Sequence, residues 1–365
     1  MRQNQKVKDG VLKGCILASA AFTVFILVFI IGFIFVKGLP KINGHFLTAG
    51  YEDETAYVIA ETIPAKDQKT EKNLLSEIGV YYDLQEDGTS MEVTDFTENT
   101  TAKEVTNLNG DSMEISKGDI ISSAEENDAN HMRLKITKVG GGIMPMLVST
   151  LMLVLLSLLV AAPIGILSAI YLNEYAKPGK ILTVIRFAVQ NLAGIPSIIY
   201  GLFGALVFVQ LLGMQYSIMA GALTVSIILL PTIISTTEES LKAIPKGIRE
   251  SSLGLGATKL QTTMRVVVPN ALPGILVAII LSIGRIVGES AALLLTAGTV
   301  AAIPTALMGE GAAAATLTIK AYTILKETGD VSTSCGIGVV LIVMIIVLNV
   351  ASKAVTARFM KKQQG

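Results

Sequence analysis

The sequence predicts an all-α polytopic membrane protein, with six transmembrane helices and a small β-rich insert exposed to water after the first. Three features predict it. Hydrophobic residues fill 51% of the 365 positions and charged residues only 16%, against about 25% in an ordinary soluble domain, so the groups that keep a globular surface wet are scarce. The formal net charge of zero conceals a segregation: residues 37–140 hold twenty Asp/Glu against ten Lys/Arg, leaving nine acids and nineteen bases elsewhere. Finally, six apolar runs are long enough to cross a bilayer. An acidic block inside a basic, apolar chain excludes a single soluble domain, and the missing basic aromatic face argues against nucleic-acid binding.

A bilayer core of about 30 Å needs about 20 residues of helix. Residues 15–36 supply the first span. Arg2, Lys6, Lys8 and Lys13 before it would also suit a secretory signal, but the apolar run is too long for one. Lys37-Gly-Leu-Pro-Lys41 is no small-residue cleavage site either, so the span is expected to be retained. The insert, residues 42–138, follows. Met132, Leu134 and Ile136 alternate with Arg133, Lys135 and Thr137 in a half-buried strand pattern. Tyr57-Val-Ile and Val80-Tyr-Tyr lean towards strand, while 85–90 and 124–129 read as turns or loops; a partly disordered acidic linker is the competing reading. Residues 143–172, 187–212, 217–235, 273–296 and 335–350, the last extending past Lys353, supply five more spans. Pro163, Pro196 and Pro231 lie within them, as a helix bundle in lipid tolerates, and Gly and Ala allow close helix packing.

Six spans put both termini on one side. There lie the basic N-terminal tail, Lys177, Lys180 and Arg186 between spans two and three, Lys242, Lys246, Arg249, Lys259 and Arg265 in loop 236–272, and Lys353, Arg358, Lys361 and Lys362 at the C-terminus. The positive-inside rule makes that side cytoplasmic in a plasma-membrane protein, with the acidic insert outside. The predicted organisation is a tail and first span in 1–41, the insert in 42–138, and a five-span core in 139–365. Glu310, Lys320, Lys326, Glu327 and Asp330 fall in an outer loop, 298–333, and read as solvated.

Chemistry-bearing clusters are few. Cys15 and Cys335 lie in apolar runs and read as small buried hydrophobes. His45 and His131 have no partner at metal-site spacing, so no metal or other cofactor is expected. No GxxxxGK[ST] phosphate loop occurs, and Gly254-Leu-Gly256-Ala-Thr-Lys259 has the wrong spacing. Any ATP must be hydrolysed by a partner, and the chain is expected to be non-catalytic.

Arg285 and Glu289 sit within the fifth span, four apart, which on a continuous helix places them on one face and lets them pair. A charge at this depth needs a partner or water. The pair reads either as a structural staple or as part of a path for an anion, to which guanidinium offers a planar fork of donors. Pro196, Ser197 and Tyr200 read either as path residues where a span is interrupted or as kink and packing residues.

Loop 236–272 contains Glu250-Ser-Ser-Leu-Gly-Leu-Gly256, followed by Val266, Val268 and Pro269. This spacing resembles the EAA loop of ABC-importer permeases, E-A-A-x3-G-x9-I-x-L-P, with Ser251 and Ser252 in place of the two alanines. The resemblance implies a type I ABC-importer permease bundle in which this loop docks on a cytoplasmic ATPase. Independently of it, Gly256 reads as a turn or a close backbone approach, Pro269 and Pro273 as the end of the loop before the fifth span, and Lys246, Arg249, Lys259 and Arg265 as facing water or anionic lipid.

Further segments resemble the phosphate (Pst) permeases: Gly141-Gly-Ile-Met-Pro-Met, Ala162-Pro-Ile-Gly-Ile, Tyr171-Leu-Asn-Glu-Tyr175, Asn191 through Gly204, and Gly284-Arg-Ile-Val-Gly-Glu-Ser-Ala-Ala-Leu-Leu-Leu-Thr-Ala-Gly298. The last is similar to R-x2-G-E-T-A-P-L-L-x-T-A-G, with Ser290 and Ala292 replacing Thr and Pro, and its ending resembles the A-type (PstA) rather than the C-type subunit. The likeness is loose over 1–40, close over about 140–360, and absent from the insert. It implies phosphate import together with a second, PstC-like permease, a PstB-like ATPase dimer and a PstS-like phosphate-binding protein, and it favours Arg285 and Glu289 as path residues. The alternatives are another oxyanion (molybdate, sulfate or phosphonate) and a membrane-anchored receptor using the acidic domain. The insert is expected to serve either as a docking collar for the binding protein or as a passive solvated insertion.

Overall fold

The computed structural model describes residues 2–364 except 65–67, 69–70, 86–88, 108–109, 111, 129 and 139. The middle of the predicted turn 85–90 therefore lies outside the described residues, as do the side chains of Arg2, Lys6, Lys8, Arg358, Lys361 and Lys362. The chain forms two compact units, His45–Met144 and the remainder.

Helix α1 (Arg2–Gly38), continued by the 3-10 turn Leu39–Lys41, carries the first apolar span, Leu12–Lys41, which is exposed over residues 12–31 and partly covered beyond them, with Gly38 buried. Cys15 is exposed rather than buried, as suits a residue whose solvent is lipid. A short helix α2 (Gly44–Thr48) precedes the insert.

The insert is β1 (Glu54–Glu61), β2 (Leu74–Leu75), β3 (Val80–Leu84), β4 (Met91–Phe96), β5 (Val105–Asn107), β6 (Ser112–Met113), β7 (Ile120–Asp128) and β8 (His131–Lys138). Among the described residues these pair into one antiparallel sheet of order β2-β3-β4-β7-β8-β1-β5-β6. Period-2 alternation sets the register: Val58 opposes Leu134 and Ala56 opposes Ile136, and Val58, Leu134 and Ile136 are fully buried, whereas Arg133 lies over the Tyr57 ring on the other face. The expected strand through Met132–Ile136 is β8. The expected turn at 124–129 is corrected, because Ala124–Asp128 belongs to β7 and pairs with β8. Glu125 is exposed on a paired strand, and Asn127 falls at an irregularity in the register rather than in a loop.

In the other unit, α3 (Met144–Ile170) continues as a π-helical tail, Tyr171–Tyr175. Next come α4 (Lys180–Leu192) and α5 (Ser197–Gly204), the latter extended by the π-helical Ala205–Leu211. Then follow α6 (Ile218–Lys242), α7 (Lys246–Gly254), α8 (Lys259–Thr262), the π-helical Thr263–Val267 and α9 (Val268–Gly288). The unit ends with α10 (Ala291–Leu294), α11 (Leu317–Glu327) and α12 (Val331–Gln364). Among the described residues five helices are long and apolar enough to cross a bilayer, and α4–α5 makes a sixth crossing if taken as one span bent by 99°. The contacts favour a broken crossing over a re-entrant loop. Arg186 of α4 pairs with Glu238 near the C-terminal end of α6, while the chain leaving α5 reaches the N-terminal end of α6, where the Ser217 N–H donates to Thr296 O at 3.0 Å.

Two expectations about the spans change. Residues 187–212 are not one straight helix, since the chain breaks between Leu192 and Ser197. Nor does the fifth span begin at Pro273: helix runs from Lys259 to Gly288, with Pro269 near its start and Pro273 inside, and it stops short of Thr296. Small residues let the helices approach. A Cβ on Gly201 would lie 2.7 Å from the Ala292 Cα, and one on Gly165 would lie 2.7 Å from the Ile233 side chain. Beyond α10, Leu317–Glu327 is helical rather than loop, and Asp330 caps α12 by accepting the Thr333 N–H at 3.0 Å.

Candidate functional site

The interior of the bundle is built from α3, α5, α6, α9 and α10. Arg285, in the last turns of α9, is half-buried and donates through Nη1 to Thr232 Oγ1 of α6 at 3.2 Å. Among the described residues it makes no ion pair. The expected partnership with Glu289 is overturned because the helix ends first: α9 stops at Gly288, and Glu289 is extended, with φ −78° and ψ 126°. The two residues therefore do not share a helical face. Glu289 Oε1 instead accepts the Ala292 N–H at 3.2 Å, serving the start of α10, and Glu289 O accepts from Thr318 Oγ1 at 3.0 Å. A guanidinium with five donors is thus left beside a hydroxyl inside an apolar bundle.

Pro196, Ser197 and Tyr200 lie together at the break in the third crossing. Pro196 precedes the first residue of α5, Ser197, in an extended conformation, with ψ 138°, and its missing N–H is no loss at a helix start. Tyr200 is buried, and its hydroxyl donates to Leu192 O at 2.7 Å, tying α5 back to the end of α4. It packs with Ile228 of α6 and Ala292 of α10. The break is thereby held in one geometry beside α10.

At the other end of the bundle, the segment after α6 is a helical hairpin rather than a loop. Glu250 and Ser251 lie on α7, exposed, and Ser252 Oγ is 2.9 Å from Thr262 Oγ1. Gly256 terminates α7 with φ +86°. The Gly256 N–H donates to Leu253 O at 3.0 Å and the Ala257 N–H to Ser252 O at 3.2 Å, the paired bonds of a Schellman cap. No other atom comes within 4 Å of a Cβ at this position, so within the chain the turn, not a close approach, demands glycine. Thr258 and Gln261 then form a capping box that starts α8. No residue of α7 is buried, and Ile248, Leu253, Leu255, Leu260 and Met264 all project exposed apolar side chains.

One base expected to face water does not, and a second, Lys259, is exposed as expected but engages a ring. Arg249 forms an ion pair with Glu174, its Nη2 2.8 Å from Oε1, and both side chains are largely buried. Lys259 sits over the Tyr175 ring, 5.2 Å from its centroid. Arg186 and Lys242 likewise converge on the buried carboxylate of Glu238. Apart from Lys242–Glu238, four positions apart on α6, these pairings join residues tens of positions apart, so spacing could not reveal them. The available hint was a carboxylate, Glu174 or Glu238, at the end of an apolar run, because a buried acid requires a partner.

Several helices long and apolar enough to cross a bilayer, and a further pair bent at a break, define a multi-pass membrane protein, with an arginine in its interior that makes no ion pair among the described residues. Residues 161–364 match the binding-protein-dependent transport system inner membrane component family. The chain belongs to that family. It is 38% identical over 159 residues to the probable ABC transporter permease protein YqgI of Bacillus subtilis, covering 44% of this chain and 54% of that one. It is 40% identical over 158 residues to the phosphate transport system permease protein PstA 1 of Mycobacterium tuberculosis H37Rv, covering 43% and 51%. The matched segments thus span about half the length of these relatives. A chain of the MetNI methionine ABC transporter aligns with TM-score 0.46 at 22% identity, over 60% of this chain and 94% of that one.

Proposed function

We propose that this chain is the transmembrane permease subunit of an ABC importer that moves inorganic phosphate across the plasma membrane into the cytoplasm. Family membership supports the class, and the names of the relatives support phosphate. The observation that carries the substrate reading is Arg285, held in the bundle interior by Thr232 and by no carboxylate among the described residues. A guanidinium fork and a hydroxyl suit a tetrahedral oxyanion, and the broken third crossing, with Pro196, Ser197 and Tyr200, lies against the same helices. The hairpin carrying Glu250, Ser251, Ser252 and Gly256, with Pro269 beyond it at the start of α9, offers an unburied helix with projecting apolar side chains, which suits docking on a cytoplasmic ATPase dimer of PstB type. A second, PstC-like permease and a PstS-like binding protein complete the assembly, with surrounding lipid on the outward faces. Both termini and the hairpin are cytoplasmic in this reading and the insert is outside. The chain itself performs no covalent chemistry.

Because guanidinium and hydroxyl do not distinguish phosphate from sulfate, molybdate or phosphonate, the test has two arms. In proteoliposomes containing the assembled importer, Arg285→Gln should abolish phosphate uptake while the complex stays assembled, and Arg285→Lys, which keeps charge and loses the fork, should retain a fraction. Normal uptake by Arg285→Gln would overturn the role of this residue. Competition by sulfate or molybdate at concentrations where phosphate fails to compete would overturn the substrate.

A further inference from the structure

No apolar side chain of α7 is buried, so beyond the chain's own continuity with α6 the helix's firmest grip on the bundle is polar. One side chain supplies it. Arg249 donates through Nε to both carboxylate oxygens of Glu174 at 3.3 Å, through Nη2 to Glu174 Oε1 and Leu241 O at 2.8 Å each, and through Nη1 to Ile244 O at 2.7 Å. It thus gathers α7, the C-terminal end of α6 and the π-helical tail of α3 onto one guanidinium. Glu174 is held in turn by Asn173 Nδ2 at 2.7 Å. The neighbouring Tyr175 takes the second arm of the hairpin through Lys259, so the tail Tyr171–Tyr175 receives both α7 and α8. The ion pair is largely buried, with side-chain exposures of 19% for Arg249 and 8% for Glu174. In such surroundings a charge-assisted, forked interaction is strong and directional.

We propose that the Glu174–Arg249 pair is the positioning link through which the α7–α8 hairpin moves α3 and α6, coupling ATP hydrolysis by the partner to substrate movement. This rests on the permease reading above. Neither residue touches substrate, and the role is transmission. A linkage through one ion pair has a definite signature: loosening it should leave the ATPase bound and turning over while transport fails, because the two events are joined by a coupling free energy and not by shared chemistry.

The test uses the full importer in proteoliposomes, with Glu174→Gln, Arg249→Lys and the double variant. Three quantities are measured: ATPase recovered with the permease, ATP hydrolysed, and phosphate accumulated. Each single variant should keep the ATPase bound and hydrolysing within about twofold of the parent while uptake falls about tenfold, within the usual range of coupling factors. The double variant should be no worse than the poorer single, since both remove one link. An unchanged ratio of ATP hydrolysed to phosphate transported in the singles would overturn the proposal, as would multiplicative losses in the double. Loss of the ATPase from the singles would also overturn it, by assigning the pair to assembly. If the unaltered chain recovers no ATPase, the permease reading itself falls and takes the link with it.

Discussion

Gly256 offers a perturbation whose cost is almost purely conformational. Its φ of +86° lies in the region where a residue with a Cβ costs roughly 1–2 kcal/mol, and the space around its Cβ position is open to 4 Å, so alanine would clash with nothing in this chain. An ATPase that binds the hairpin selects the turn held by the bonds from the Gly256 and Ala257 N–H groups. Up to the whole strain can then appear as lost affinity, a factor of about 5–30. Asparagine is larger than alanine but visits left-handed backbone more readily, so it should lose several-fold less. Titrating the ATPase onto nanodisc-embedded permease variants should therefore rank glycine above asparagine above alanine. Equal affinities for all three would refute the turn requirement. Asparagine binding more weakly than alanine would show that the partner's backbone packs on this face and that size, not conformation, is what glycine supplies.

Tyr200→Phe removes the hydrogen bond that ties α5 to Leu192 O while keeping the ring that packs on Ile228 and Ala292; a net loss of about 1 kcal/mol should lower the detergent-phase melting temperature by about 2–4 °C, and an unchanged transition would show that the break needs no tie. In the insert, burial pushes the Asp119 carboxyl above its ordinary range, opposed in part by the Ser116 N–H donated to it at 2.8 Å. A raised folded-state value means that this group's contribution to stability is fully present below the unfolded value, about 4, and is lost as pH rises through the folded value. Asp119→Asn keeps an acceptor for Ser116 and removes the charge, so strand amides of the variant should exchange more slowly than the parent's at pH 7, with the difference vanishing near pH 4.

What the sequence disclosed follows from the range of the interaction concerned. Lipid imposes about 20 apolar residues per crossing, a local demand, so the spans could be read off directly. Alternation over Met132–Ile136 reports a sheet with one buried face, equally local. Around Gly256 the turn was legible, whereas the helices on either side were expected as loop although their caps are set by residues three or four positions apart. By contrast, the end of α9 at Gly288 was invisible, since the apolar run continues through Leu293–Leu295 and composition cannot distinguish one helix from two. The sharp bend before Ser197 was marked only by Pro196, and a proline within a membrane helix can leave it continuous, as Pro163 and Pro231 do here. Arg249 and Glu174 are 75 positions apart, and no periodicity links them.

The arginines of α4, α7 and α9 are held in two different ways, and the difference bears on the proposed path. Arg186 and Arg249 are each matched to a nearly buried carboxylate, Glu238 and Glu174. Those pairs are permanent, because breaking one would strand a buried charge at a cost of about 3–5 kcal/mol. Arg285 is arranged differently. The acid nearest to it in sequence is turned to the Ala292 N–H, and its own neighbour is the Thr232 hydroxyl. Were Glu289 its standing partner, every arriving anion would have to displace a carboxylate and leave that charge uncompensated in the bilayer, where a lone charge already costs at least about 2.5–3.5 kcal/mol. A hydroxyl yields at the expense of one hydrogen bond, about 1 kcal/mol, and can donate to the incoming oxyanion once it turns. In the proposed importer the helix break at Gly288 would do more than interrupt a span: with Glu289 diverted into capping α10, Arg285 would be free to exchange one weak neighbour, the Thr232 hydroxyl, for an anion.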